Sequence, residues 1–125
     1  MRADTQQWWD QAQADLRSAQ VLLTAGQFYG VSFFAQQAAE KALKALYVER
    51  RGHIPPRTHD LEFLAFEVVA LTTLQTELGV LAPVFDAARY PDNGGIAPVH
   101  AIGHIEAQDH FDAAERIVTW IGGQL

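Results

Sequence analysis

Apolar residues recur along this chain at steps of three and four, the period of helices that each bury one face. Trp9, Ala12, Leu16, Ala19 and Leu23 form the first such stripe, which Asp4 or Thr5 can cap and Gly26 ends near Ala25. A second begins at once, with Val31, Ala35, Ala38, Ala42 and Ala45 or Leu46 on one face. Its alanines let a neighbouring helix approach closely, and Phe33, Phe34 and Tyr47 add bulk beside it. Glu40 and Lys44 stand one turn apart on this helix and read as a surface pair, worth roughly 0.2–0.5 kcal/mol. Gly52 closes it.

His53, Pro55 and Pro56 cannot continue a helix and force an extended turn. Asp60 then has the chemistry of an N-cap, followed by Leu61, Leu64, Val68 and Leu71. Thr72 and Gln75 have capping-box spacing, which predicts a new helix carrying Leu74, Leu78, Leu81, Phe85 and Ala88. Gly79 and Pro83 predict a kink in it, and Pro91 stops it. Pro91 to Gly103 reads as a loop, and its Asn93-Gly94-Gly95 turn follows a helix where a nucleotide-fingerprint loop would follow a strand. Ala107, Phe111, Ala114, Ile117 or Val118, and Ile121 mark the last helix, ended by Gly122-Gly123. The pattern predicts one all-α domain over residues 1–125: an up-and-down four-helix bundle, its third helix split or kinked, with a long loop before the last.

A chain of 125 residues can bury a working core. No stretch approaches the roughly 20 apolar residues of a membrane span, and Met1 to Trp9 lacks the apolar run of a signal peptide. The absence of cysteine excludes disulfides, thiolate metal sites and cysteine nucleophiles, and fits a cytoplasmic location. The formal charge of −6 argues against indiscriminate coating of nucleic acid, but it is unevenly spread. Residues 41–59 carry Lys41, Lys44, Arg50, Arg51 and Arg57 against Glu49 alone, whereas residues 60–125 carry Arg89 and Arg116 against ten carboxylates. An acidic body with one basic end could receive phosphate there.

That end makes Lys41, Lys44, Arg50, Arg51, Arg57 and His59 candidate nucleotide- or phosphate-binding residues. The plainer alternatives are that the lysines complement the helix dipole and that His59 hydrogen-bonds the bundle end beneath Pro55-Pro56. Arg89 with His100 or His104 could supply the cation, base and acid that metal-free RNA cleavage needs. Equally, Arg89 could cap its helix and pair with Asp86 or Asp92. His100, His104 and His110, with Glu106 and Asp109, raise a metal hypothesis. Gly103 interrupts the first two and no His-Glu-x-x-His pattern is present, so neither metal nor other cofactor is expected. Trp8, Trp9 and Trp120 could stack a base, or fill a bundle end or dimer interface.

Three segments carry a more specific signal: Ala38-Ala39-Glu40-Lys41-Ala42-Leu43-Lys44-Ala45, Thr58-His59-Asp60-Leu61 and Ala88-Arg89-Tyr90-Pro91-Asp92. In that order they resemble the second helix, third-helix start and third-helix end of the HEPN domain, a small helical module. The resemblance runs from Trp8 to Ile121 and implies a helical bundle that pairs as a homodimer. Many such proteins resemble metal-independent endoribonucleases with Arg, four to six residues, then His. Others accompany small nucleotidyltransferases in toxin–antitoxin pairs, and still others only bind nucleotide or RNA, or act as scaffolds. Here ten residues separate Arg89 from the next histidine, His100, so the ribonuclease spacing is absent. The resemblance therefore implies first a dimeric module that binds nucleotide or RNA phosphate, with a nucleotidyltransferase as partner. A diverged endoribonuclease using Arg89 with His100 or His104, and a non-catalytic interaction scaffold, are the alternatives.

Overall fold

The computed structural model describes residues 1–91 and 95–125. Asp92, Asn93 and Gly94 lie outside the described residues, and with them the expected Arg89–Asp92 pair and most of the Asn93-Gly94-Gly95 turn. Among the described residues every regular element is a helix, and none is long and apolar enough to cross a membrane. Helices α1 (Ala3–Ala25) and α2 (Phe28–Arg51) form a long hairpin. Its turn is Gly26, at φ 75°, while the Gln27 N–H reaches back to the Leu22 carbonyl. Helices α3 (Leu61–Glu67), α4 (Gln75–Leu81) and α5 (Val84–Ala87) together make the segmented third layer. A single turn, α6 (Pro98–Ala101), precedes the last long helix, α7 (His104–Gln124).

The bundle centres on α2, which packs against α1, α3, α5, α6 and α7. Its face of Val31, Ala35, Ala38, Ala42, Ala45 and Leu46 is wholly buried, and small residues bring the flanking helices close. Across it lie Ala107, Phe111, Ala114, Ile117 and Ile121 of α7, and Leu64, Leu74, Leu78 and Leu81 of the segmented layer.

Several local expectations shift. The helix starts at Ala3, with Arg2 rather than Asp4 or Thr5 at the N-cap position. Asp60 does cap α3, its carboxylate accepting the Phe63 N–H at 3.1 Å. Thr72 does not cap α4 with its side chain: Leu74 holds that position, and the Thr72 carbonyl accepts from Gln75. The chain passes through Gly79 without a break and interrupts at Pro83, where α5 begins. Leu71, expected in the core stripe, is exposed because α3 has already ended at Val68. The chain leaves α3 through Val69, at φ 57°, a left-handed position usually held by glycine. Pro98 starts α6 inside the expected loop; its missing N–H costs nothing at a first helical turn.

Candidate functional site

Down one side of α2, between its alanines, runs a polar stripe of period four: Ser32, Gln36, Glu40 and Lys44, all buried. Buried polar groups persist when each finds a partner, and here each does. Glu40 is the hub. Its Oε2 accepts from Lys44 Nζ at 3.0 Å, and its Oε1 from His59 Nδ1 at 2.9 Å and Gln36 Nε2 at 3.2 Å. The side chains of Glu40 and Lys44 are only 5% and 8% exposed, so the pair expected on the surface is an interior one. A carboxylate only accepts, so His59 donates through Nδ1 and leaves Nε2 without a hydrogen-bond partner among the described residues.

The His59 ring is 56% exposed and lies flat on Phe85, with centroids 4.1 Å apart and planes 18° from parallel. The same Phe85 carries Arg89, whose Cζ stands 3.8 Å from that ring centroid and 4.2 Å from the centroid of Phe33. Arg89 Nη1 donates to the Phe85 carbonyl at 2.9 Å. It thus caps its helix end, without an ion pair to Asp86 among the described residues. Burial pulls its pKa down, opposed by Glu40, Tyr90 and Asp86; a guanidinium remains charged regardless. Residues far apart in sequence (Phe33, Glu40, His59, Phe85 and Arg89) thus form one cluster.

The remaining basic candidates are held by the protein itself. Lys41 pairs with buried Asp15 of α1 at 2.5 Å. Arg50 donates to the Val68 carbonyl and to Gln124, and Arg51 to the Glu67 carbonyl and carboxylate. The two arginines that end α2 therefore satisfy the last carbonyls of α3, the negative end of its dipole. Arg57 is exposed and has no hydrogen-bond or ion-pair partner among the described residues.

No hydrogen bond or ring stacking joins Arg89 to His100 or His104 among the described residues; the His104 ring lies 5.3 Å from that of Phe28. His110 Nδ1 lies 2.7 Å from the buried hydroxyl of Ser32. Burial pushes the His110 pKa down, against Asp109 and Glu106. Among the described residues, no three histidine or carboxylate side chains are placed to hold a metal ion. Trp8 faces the Lys44 ammonium at 5.5 Å, while Trp9 and Trp120 are half-buried against the core. A cleft of about 240 Å³ between α4 and α7 is lined by four carboxylates, Glu77, Glu106, Asp109 and Asp112, against Arg116 and His110, a poor surface for an anion.

Sequence reading missed Phe33 and Phe85 as a platform, because an aromatic at helical spacing reads as core. It also missed Glu40 as a hub, although Ser32, Gln36, Glu40 and Lys44 form a polar series that a tally by period four would reveal.

A family model described as HEPN domain matches residues 5–124. No curated protein matches. Two solved structures are similar over nearly their whole length. TT1696 from Thermus thermophilus is 30% identical, with a TM-score of 0.89 over 99% of this chain and 100% of that one. ST0689, an archaeal HEPN homologue, is 29% identical, with a TM-score of 0.80 over 99% and 98%.

Proposed function

The chain belongs to the HEPN domain family, and on that premise we propose that it is a binding module for nucleotide or RNA phosphate, anchored by Arg89. The observation that carries this reading is the Arg89 guanidinium held over Phe33 and Phe85, beside an exposed His59 on the same ring. Aromatic support fixes a guanidinium in place, so less side-chain entropy is lost when it grips an oxyanion. Arg57 adds an exposed cation two residues before His59. Lys41, Lys44, Arg50 and Arg51 support this seat by building the scaffold around it. A second copy of the chain and a small nucleotidyltransferase, in a toxin–antitoxin-type pair within the cytoplasm, complete the reading.

Titration of nucleotide and RNA against increasing salt tests it. Affinity should fall as salt rises. Arg89→Lys, which keeps the charge but loses the fork, should weaken it by on the order of tenfold. Affinity indifferent to both salt and Arg89 would remove the seat.

One observation favours a second reading, the metal-independent endoribonuclease. A histidine oriented by a buried carboxylate beside an arginine has the parts of an acid–base site on phosphate. In that reading His59 takes the place expected of His100 or His104. RNA cleavage in chelator that disappears in both Arg89→Ala and His59→Ala would favour it; intact RNA leaves the binding module.

A further inference from the structure

Where the start of α1 meets the end of α2, the chain leaves a cleft of about 240 Å³. Asp4, Gln7 and Trp8 of α1 line one side, and their spacing of three and four residues sets them on one helix face. Val48 of α2 and Pro55 of the following turn are its buried lining, while His53 and Ile54 stand exposed at the rim. Contacts outside the cleft hold these walls. Arg2 ties the two helices together, its N–H donating to the Glu49 carboxylate at 2.9 Å and its Nε to the Glu49 carbonyl at 3.1 Å. The His53 ring meets Tyr47 edge-on, with centroids 5.3 Å apart. A preformed hollow of apolar walls with a few polar groups is the ordinary form of a small-molecule site.

The lining restricts the charge and shape of what fits. A cation finds the Trp8 ring already facing the Lys44 ammonium at 5.5 Å. An anion meets the Asp4 carboxylate, which has no hydrogen-bond or ion-pair partner among the described residues. A neutral aliphatic group would strip water from that carboxylate and from the Gln7 amide and return no hydrogen bond. What remains is a neutral flat ring that donates from one edge. We infer that the cleft is a nucleobase site selective for guanine. A guanine stacks on Trp8 and brings its adjacent N1 and N2 donors to the two Asp4 oxygens, a pair of charge-assisted bonds. The Gln7 amide supplies a donor for the neighbouring O6. Adenine turns a ring-nitrogen acceptor toward the carboxylate, and two acceptors repel. Cytosine and uracil each lack two adjacent donors. The site stands on its own lining and goes beyond the phosphate seat at Arg89.

The test titrates guanosine, inosine, adenosine and cytidine into the full chain by calorimetry. None carries a phosphate, so the Arg89 seat takes no part. Guanosine should bind tightest, with an affinity indifferent to salt. Inosine, which lacks only the 2-amino group, should bind about tenfold weaker, and adenosine and cytidine should not bind measurably. Asp4→Asn, at an exposed position, should leave the thermal midpoint nearly unchanged and make guanosine as weak as adenosine. A short oligoribonucleotide with one guanine separates the sources of the base. Binding far tighter than guanosine identifies an RNA strand, and equal binding identifies the free nucleoside. Equal binding of guanosine and adenosine, or a preference that survives Asp4→Asn, overturns the inference. So does the absence of binding by every nucleoside at its solubility limit. The phosphate seat stands or falls separately, by its own salt titration and Arg89→Lys.

Discussion

His59 and His110 are both tied to α2 through Nδ1, one to Glu40 and the other to Ser32, yet they occupy opposite circumstances. His110 is partly enclosed, meets a neutral hydroxyl, and has its pKa lowered by burial. His59 meets a carboxylate, stands largely in solvent, and stacks on the Phe85 ring that also carries Arg89. The difference teaches what equips a histidine for work on an anion. A neutral partner for an enclosed ring makes a structural hydrogen bond, whereas a buried carboxylate reaching an exposed ring fixes its tautomer and leaves the second nitrogen for a ligand.

The sharpest way to break the contrast is at Glu40. In Glu40→Ala the Lys44 ammonium stays buried without its partner, and Gln36 and His59 lose their acceptor. A loss of about 3–5 kcal/mol in urea denaturation is expected. At the other pole, Ser32→Ala deletes one buried hydrogen bond to a neutral ring, and the same measurement should show about 1–2 kcal/mol. A carboxylate substitution no costlier than the hydroxyl one would dissolve the distinction between the two ends of the stripe.

Acidification sharpens it next. Burial holds the His110 pKa below its usual 6.5, so in the acid range the unfolded chain takes up a proton that the folded chain resists. This contribution to stability is fully present above that usual value and is lost as pH falls toward the depressed one. Urea midpoints taken at about pH 7.5 and about pH 5.5 should therefore lie closer together in His110→Gln than in the wild type. A midpoint gap unaltered by the substitution would place the acid sensitivity elsewhere. The smallest stability effect belongs to His59→Ala, within about 0.5 kcal/mol, because the ring is exposed and Glu40 keeps Lys44 and Gln36. Any larger loss would mark His59 as part of the scaffold.

Helices were legible because their signals are local. The apolar stripes of α1, α2 and α7, Gly26, Gly52 and the Asp60 cap need only neighbouring residues to be read. The segmented layer was partly legible, since Pro83 breaks the helix by sterics alone. Leu71 and Thr72 were misplaced because the turn through Val69 uses a β-branched residue where glycine would have announced it. The basic stretch misled for a different reason. Arg50 and Arg51 find backbone carbonyls at the end of α3, and carbonyls leave no trace in residue identity. Glu40 looked exposed because i,i+4 spacing says which residues meet and nothing about what covers them. The three segments that carried the family resemblance did hold Glu40, His59 and Arg89, so the site's charged members were named before their meeting was visible.

The stripe on α2 also bears on how that helix keeps its place along its own axis. Its alanine face is nearly the same at every turn, so by itself it would tolerate a slide of one turn, about 5.4 Å, against α1 and α7. The four polar residues repeat at that same interval but are chemically unlike. A slide would bring Lys44 or Gln36 to the height where Glu40 faces His59, setting an ammonium or a neutral amide against the ring in place of a carboxylate. Uniform small residues supply closeness, and an ordered series of unlike polar ones serves as the ruler that stops a smooth helix from slipping.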